Sequence, residues 1–375
     1  MPPWHDDLAK IVSDCLINRV FSSCSVGISI IEKEKYGSYF HHYGYTDGNE
    51  KGSRVNDKTV YDLASLTKPL VTSLAIMALI EKGELNLRDE IGTFFHGIGR
   101  EMGKIRLSHL LSHSAGLPAH RPYYEILTEY PQHERKEIIN RLIFAEKLLF
   151  EPGKNTLYSD LGFILLGSIV EKITRTSLDN FWKNAIIQPL GLQEELFFAN
   201  SNGSASDEYA VTGRCGWSKR RLCGIVHDDN CRALGGVAGH AGLFGTVSGV
   251  MSLVQNLFLQ FKGINRHPAY AVETLREFLR KKPESTWTYG FDTPSLPHSS
   301  SGNYFSKMTV GHLGFTGTSF WLDLSSGTAI VLLTNRVLMG NDLTKIRKFR
   351  PLLHDTLMER IMKKPDCRTH LNNRA

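Results

Sequence analysis

The apolar positions change rhythm twice along the chain. Residues 24–32 and 37–45, rich in Ile, Val, Tyr and Phe and separated by a charged turn, predict two strands. The stretch YDLASLTKPLVTSLAIMALIEKGELNL (61–87) predicts a long helix, hydrophobic on nearly all sides and therefore central. From 88 to 262 the pattern is mostly helical. IRLSHLLSHSAG stops at Gly116, GFILLGSIVEKIT (162–174) is apolar-periodic, LDNFWKNAIIQPLGL is broken by Pro189 and Gly191, and a further helix starts near Ser248. The final third returns to strands at 286–292, 307–314, 318–324 and 328–337, with LSSG as a hairpin turn. A last helix is expected with Pro351 in its first turn, where a missing N–H costs nothing.

Strands at both ends and helices between them imply an α+β fold. The N- and C-terminal strands form one antiparallel sheet flanked by helices, with a mostly helical domain inserted. The expected division is residues 1–87 and 263–375 for the sheet domain and 88–262 for the helical domain, with the active site at their interface.

Within the 61–87 stretch, Ser65 and Lys68 lie three apart, hence on one helical face at the first turn. There the helix dipole favours developing negative charge. A serine hydroxyl attacks only when something takes its proton, and a lysine does so only when neutral. From an unperturbed pKa of ~10.4, that requires a drop of ~3 units, about 4 kcal/mol, by desolvation. The bland alternative is a helix cap beside a solvated lysine. The apolar surroundings of Lys68 favour burial and chemistry.

Composition narrows the classes. The chain of 375 residues is 41% hydrophobic and 22% charged, with net charge +6. Its basic runs at Lys219-Arg220-Arg221, Arg280-Lys281-Lys282 and 345–350 are short and scattered, read as solvated faces, and imply no nucleic-acid partner. No apolar run reaches the ~18 residues of a membrane span and no signal peptide is seen, so the expected location is cytoplasmic. Cysteines 15, 24, 215, 223, 231 and 367 lack structural zinc spacing and are read as reduced thiols. No metal or cofactor is expected.

Four stretches in order, DLASLTKPLVTSLAIMALIEKGELNLRD, HLLSHSAGL (109–117), EPGKNTLYSDLGFILLGSIVEKIT (151–174) and GHLGFTGTSFWLDLSSGTAIVLLTNRV (311–337), resemble the serine hydrolases related to class C β-lactamases, within the penicillin-recognising group. VHDDNCRALGGVAGHAGLFGT (226–246) is similar to a branch that includes N-acetylmuramyl-L-alanine amidases. The resemblance spans about 26–355 and implies a β-lactamase/transpeptidase-like fold. It makes Ser65 the acylated nucleophile, Lys68 its proton partner and Tyr158 a second general acid/base. The amides of Ser65 and Phe315 would form the oxyanion hole, and His312, Leu313 and Gly314 would occupy the family's Lys/His-Thr-Gly strand.

Two positions depart from that pattern. Asp160 replaces an Asn, and a carboxylate there would keep Lys68 charged, leaving Tyr158, with Lys68 lowering its pKa, as the better base. Leu313 replaces a Thr that would bind a substrate carboxylate, and His312 replaces the lysine of true β-lactamases. Both argue against efficient penicillin hydrolysis. His227 and Asp228 are expected to touch substrate, His240 to be structural, and 121–130 to be a lid. The implied function is hydrolysis of an amide or ester, small or peptide-like and related to cell-wall peptides. A general carboxylesterase, or a catalytically weak binding protein of the same fold, are the alternatives.

Overall fold

A computed structural model describes residues 2–363 apart from 33–34, 50–51, 200–202, 204–205, 207, 283–284 and 296. Cys367 lies outside the described residues, and Cys15, Cys24, Cys215 and Cys231 are free thiols. The elements that position the site are helix α1 (His5–Ile17), strands β1 (Ser23–Glu32) and β2 (Lys35–Gly44), and helices α2 (Leu74–Glu81), α3 (Asp160–Thr174) and α4 (Val247–Phe261). Strands β3 (Thr309–Leu313), β4 (Ser319–Asp323) and β5 (Ala329–Thr334) and helix α5 (Thr344–Met362) complete the set.

The five strands form one antiparallel sheet in the order β2-β1-β5-β4-β3. Its centre joins the two ends of the chain, with Cys24 opposite Thr334 and Ser29 opposite Ala329. Both faces are covered, so β5 is apolar from Ala329 to Leu333, yet its side chains still alternate. Ile330 and Leu332 pack with α1 and α5, whereas Ala329, Val331 and Leu333 join the larger core on the opposite face. There α4 packs closely against β1 and β5. A Cβ on Gly27 would stand 3.1 Å from Val247 and 3.2 Å from Met251, so glycine in β1 admits the helix. Helix α4, assigned from its sequence to the inserted segment, thus packs on the sheet.

Several elements differ from expectation for identifiable reasons. The 61–87 stretch is not one α-helix. Tyr61–Asp62 pairs with the short strand Leu243–Gly245, Ala64–Leu66 is a 3-10 turn, Lys68–Ser73 is π-helical, and only then does α2 run. Pro69 has no N–H to offer the Ser65 carbonyl, and the hydrogen-bond ladder widens there. The apolar stretch Ala64–Glu81 does reach eighteen residues, enough by composition to cross a bilayer, but 83% of it is buried inside the protein, making it the central core helix. Residues 286–292 form no strand. They contribute only the bridges Trp287–Asp292 and Asp292–Gly311, because Gly290 at φ +90 turns the chain back. The central segment also carries short strands at Leu196–Phe198, Gly213–Arg214 and Arg221–Leu222. Pro351 lies inside α5, not in its first turn. Thr344 donates its N–H to Asp342 Oδ1 at 2.8 Å, and this Asx turn starts the helix earlier.

Candidate active site

Ser65 sits where a strand turns into the central helix. After the Tyr61–Asp62 pairing, Ala64 takes φ +48, a left-handed conformation that costs energy for a residue with a Cβ. The Asp62 carboxylate braces this turn. Its Oδ1 accepts from the Ala64 N–H at 2.9 Å and its Oδ2 from the His227 N–H at 2.7 Å. Burial still pushes the Asp62 carboxyl up to about 6.

Lys68 is fully buried and points all three of its N–H bonds at acceptors: Ser65 Oγ at 2.9 Å, Asp160 Oδ1 at 2.7 Å and the His240 carbonyl at 3.1 Å. An ammonium has three donors and no acceptor, so this geometry is that of a charged lysine. Burial opposes the charge, but Asp160, helped by Tyr158, outweighs it and holds Lys68 above its ordinary range. Burial likewise opposes ionisation of Asp160, which Lys68 and a hydrogen bond with His120 (3.3 Å) nevertheless hold well below the usual carboxylate range.

Tyr158 arrives just before α3. Lys68 Nζ lies 4.8 Å from its ring centroid, and the phenol stands beside both Lys68 and Ser65. The expectation that Lys68 would bring this phenol down into the range of a base is not met at rest. Burial raises Tyr158 by more than the Lys68 charge lowers it. Around the phenol, three further rings close a box. His113 is 4.7 Å and His312 5.9 Å from Tyr158 between centroids, and Trp287 contacts all three. His113 Nδ1 accepts from the Ser159 N–H at 3.1 Å, while His312 Nδ1 donates to the Leu313 carbonyl at 2.8 Å. Both imidazoles are neutral: burial first, and the Lys68 charge second, push His113 well below its ordinary value and His312 down to about 3.

The turn after β3 carries Phe315. The Gly314 N–H donates to the Thr318 carbonyl at 2.7 Å, while the Thr316 and Thr318 hydroxyls donate to the Asp62 and Leu63 carbonyls at 2.8 and 3.2 Å. The turn is therefore docked on the residues that precede Ser65. Gly314 is required, since a Cβ there would fall 2.0 Å from Thr318 Oγ1 and 2.9 Å from the Leu63 carbonyl. Neither the Ser65 nor the Phe315 amide donates to a carbonyl among the described residues. Two unengaged amides at this place are what an oxyanion site needs.

His227 and Asp228 belong to the segment that walls the other side. The His227 ring stacks on the half-exposed Phe315 ring at 5.6 Å. Asp228 Oδ1 accepts from the Cys231 N–H at 2.7 Å and pairs with His240 Nε2 at 2.8 Å. Asn230 pins the 121–124 segment, accepting from the Tyr124 N–H and donating to the Arg121 carbonyl, both at 2.8 Å. The expected lid over 121–130 is thereby tied at its near end. His240 reaches Lys68 because Gly239 lies on α3, where a Cβ would be 2.0 Å from the Phe163 carbonyl.

Sequence reasoning had passed over His113, His120, Trp287 and the carbonyl role of His240. HLLSHSAGL and VAGHAGLF carried the signal for two of them, histidines in short glycine-containing segments. His120 sits in a segment without periodicity, and Trp287 in a stretch read only as a strand. A cleft of about 750 Å³, lined by Phe95, Lys136, Arg141 and Lys172 among others, contains none of the residues described above, so geometry rather than cavity size marks the site. Among the described residues, no group of three or more His, Cys, Asp or Glu side chains is arranged to hold a metal ion.

Comparison with known proteins bears on the family and the fold. The family model described as Beta-lactamase matches residues 25–350. A relative from Salmonella paratyphi A (strain ATCC 9150 / SARB42), named “Putative D-alanyl-D-alanine carboxypeptidase”, is 30% identical over 318 residues, 76% of this chain and 71% of the relative. The fold is similar to that of D-alanine carboxypeptidase AmpC from Burkholderia cenocepacia, with TM-score 0.68 and 17% identity, covering 94% of this chain and 98% of that one. It is also similar to EstCE1, a hydrolase with promiscuous acyltransferase activity, with TM-score 0.69 and 21% identity over 93% and 98% of the two chains.

Proposed function

The chain belongs to the beta-lactamase family of serine hydrolases, and from that premise we propose that Ser65 attacks an amide or ester carbonyl to form an acyl-enzyme that water then releases. The observation that carries this reading is the Ser65 oxygen held at 2.9 Å by an ammonium whose other two protons are already taken. In this reading Lys68 stays cationic and stabilises the oxygen as it loses its proton. The ionised form of Tyr158 takes that proton as the Oγ–C bond forms and delivers it to the leaving group. The same phenolate then activates water. The amides of Ser65 and Phe315 receive the carbonyl oxygen as it becomes negative.

Because the resting site holds its protons tightly, activity should rise with pH from neutrality into the alkaline range where the Tyr158 phenol ionises. A substrate related to cell-wall peptides is the first choice, supported by the name of the Salmonella relative. In this reading His312, Asp160, Gly314, His227 and Asp228 shape the substrate pocket around the nucleophile. A second reading, a general carboxylesterase, is favoured by one feature: His312 is neutral and Leu313 has no hydroxyl, so this strand offers a substrate carboxylate no cation.

The test is intact-mass analysis after a fluorophosphonate probe, followed by turnover of p-nitrophenyl esters, D-amino-acid amides, muropeptides and a chromogenic cephalosporin. The expected result is one adduct, on Ser65, with slow cephalosporin turnover. Absence of any adduct at Ser65 would instead identify a binding protein of this fold.

A further inference from the structure

Two arginines lie beneath the turn that carries the Phe315 amide, and nothing in the chemistry above uses them. Arg350, part of a basic run expected to be solvated, is only 4% exposed, and Arg336 is 2% exposed. Arg350 Nη2 donates to the Gly314 and Thr318 carbonyls, both at 2.8 Å. Arg336 Nε donates to the Phe315 carbonyl at 2.8 Å, its backbone N–H donates to the Thr316 carbonyl at 3.1 Å, and its guanidinium carbon lies 4.6 Å from the Phe315 ring centroid. Four carbonyls of one five-residue turn are thus gripped by two residues.

The grip is poor design for stability alone. Burying a charge without a counter-charge is costly. Neither arginine forms an ion pair among the described residues. The exposed Asp342 compensates Arg336 in part, whereas Arg350 faces the like charges of Arg336 and Arg347. Each also keeps a buried N–H without an acceptor, Arg336 at Nη2 and Arg350 at Nε. The carbonyls do not depend on Arg350 for satisfaction, because Gly314 also accepts from the Gly317 N–H and Thr318 from the Gly314 N–H. Burial pushes Arg350 down to about 9 and Arg336 to about 10, so both stay positive at neutral pH.

We infer that Arg350 and Arg336 are positioning residues for acyl transfer, fixing the 314–318 turn so that the Phe315 amide faces the developing oxyanion over a positive field that no ion pair among the described residues neutralises. This rests on the serine-hydrolase reading of Ser65. A peptide dipole has two ends. Holding the carbonyl ends of the turn on buried cations leaves its N–H ends to the reacting carbonyl, with no reorganisation at the moment of attack. The energy lost by burying unpaired charge is recovered only in the transition state, where a negative oxygen appears.

The experiment uses the full chain with a p-nitrophenyl ester, the matching thionoester and the fluorophosphonate probe. Arg350→Met should lower kcat for the ester by ~10–100-fold with KM within about threefold, less than deleting an oxyanion donor outright. Its melting temperature should stay level or rise, since a buried unpaired charge has become apolar. The ester-to-thionoester rate ratio should shrink, because sulfur draws little from hydrogen-bond donors. Arg350→Lys, which keeps charge without the fork, should restore part of the loss. If Arg350→Met does not fold, Arg350→Lys and Arg336→Lys carry the same ratio measurement. An ester rate within about twofold of wild type, or equal losses on ester and thionoester, overturns the inference while Ser65 labelling leaves the hydrolase reading standing. If wild type is not labelled at Ser65, both fall together.

Discussion

Lys68 and His312 are both basic side chains buried to within 1% of complete exclusion from solvent, and both lie against the Tyr158 ring. They resolve burial in opposite ways. Lys68 keeps its proton because Asp160 stands 2.7 Å away, and His312 gives its proton up because burial, and then the Lys68 charge, oppose it while no carboxylate pairs with it among the described residues. Burial alone therefore does not decide protonation in this site; the nearest counter-charge does. The phenol thus meets one wall that is ionic and saturated with hydrogen bonds and another that is aromatic and neutral.

The largest effect should come from emptying the ionic wall. Lys68→Met is expected to lower turnover by ~10³-fold or more and to destabilise the fold toward the low end of the ~3–5 kcal/mol typical of a broken buried pair, because partly exposed Asp160 can take a proton. Denaturant melts of Lys68→Met and of Lys68→Met with Asp160→Leu check this. The double variant should recover stability without recovering turnover; identical melts would mean the pair is not what holds the charge. On the boundary between the walls, Tyr158→Phe should reduce kcat by ~10²–10⁴-fold with acylation by the fluorophosphonate slowed in parallel. Near-normal turnover would remove the phenol from the mechanism.

The neutral wall has its own signature in acid. Histidines whose folded pKa lies below the unfolded value bind fewer protons folded than unfolded. Their stabilisation is present above about 6.5 and is lost as pH falls from there toward the folded value. His312, at about 3, and His354, at about 4, should each cost about 1.4 kcal/mol per pH unit across the part of that window above their own values. Thermal melts from pH 7 to 4.5 should show this slope, and His312→Gln should flatten it by one proton. A slope unchanged in the variant would place His312 protonated at neutral pH. The smallest shift concerns the counter-charge itself. In Asp160→Asn, the carboxylate charge that raises Tyr158 is gone, the phenol ionises more readily, and the rising limb of the pH–rate profile should move about one unit toward acid. A limb that stays in place would show that Asp160 does not set the protonation of the site.

How much of this was legible beforehand follows the physics of each feature. The strands β1, β2, β4 and β5 and the helices α3 and α4 were readable because burial on one or two faces writes a repeating pattern. The convergence of Ser65, Lys68 and Tyr158 was readable through ordered motifs, and the charged state of Lys68 through the identity of Asp160. The 3-10 and π turns around Ser65 were hidden because Pro69 changes the ladder without changing the hydrophobic pattern. Residues 286–292 carry strand-like residues, yet Gly290 folds them back. Net effects of competing terms were the least readable. The pKa of Tyr158 depends on whether burial or Lys68 wins, and the fate of Arg350 depends on which face of α5 meets the 314–318 turn.

The pairing of β1 with β5 has a consequence for how the molecule comes into being. The β1–β2 hairpin leaves the ribosome long before its partner, and its inner edge finds no mate until some three hundred further residues have been synthesised. During that interval an apolar strand waits with open N–H and C=O groups, the situation that invites mispairing. Contacts so distant along the chain also slow the final closure. Newly made chains should accordingly lean on a holding chaperone until the last strand emerges, and release before that moment should yield aggregates rather than a half-built enzyme.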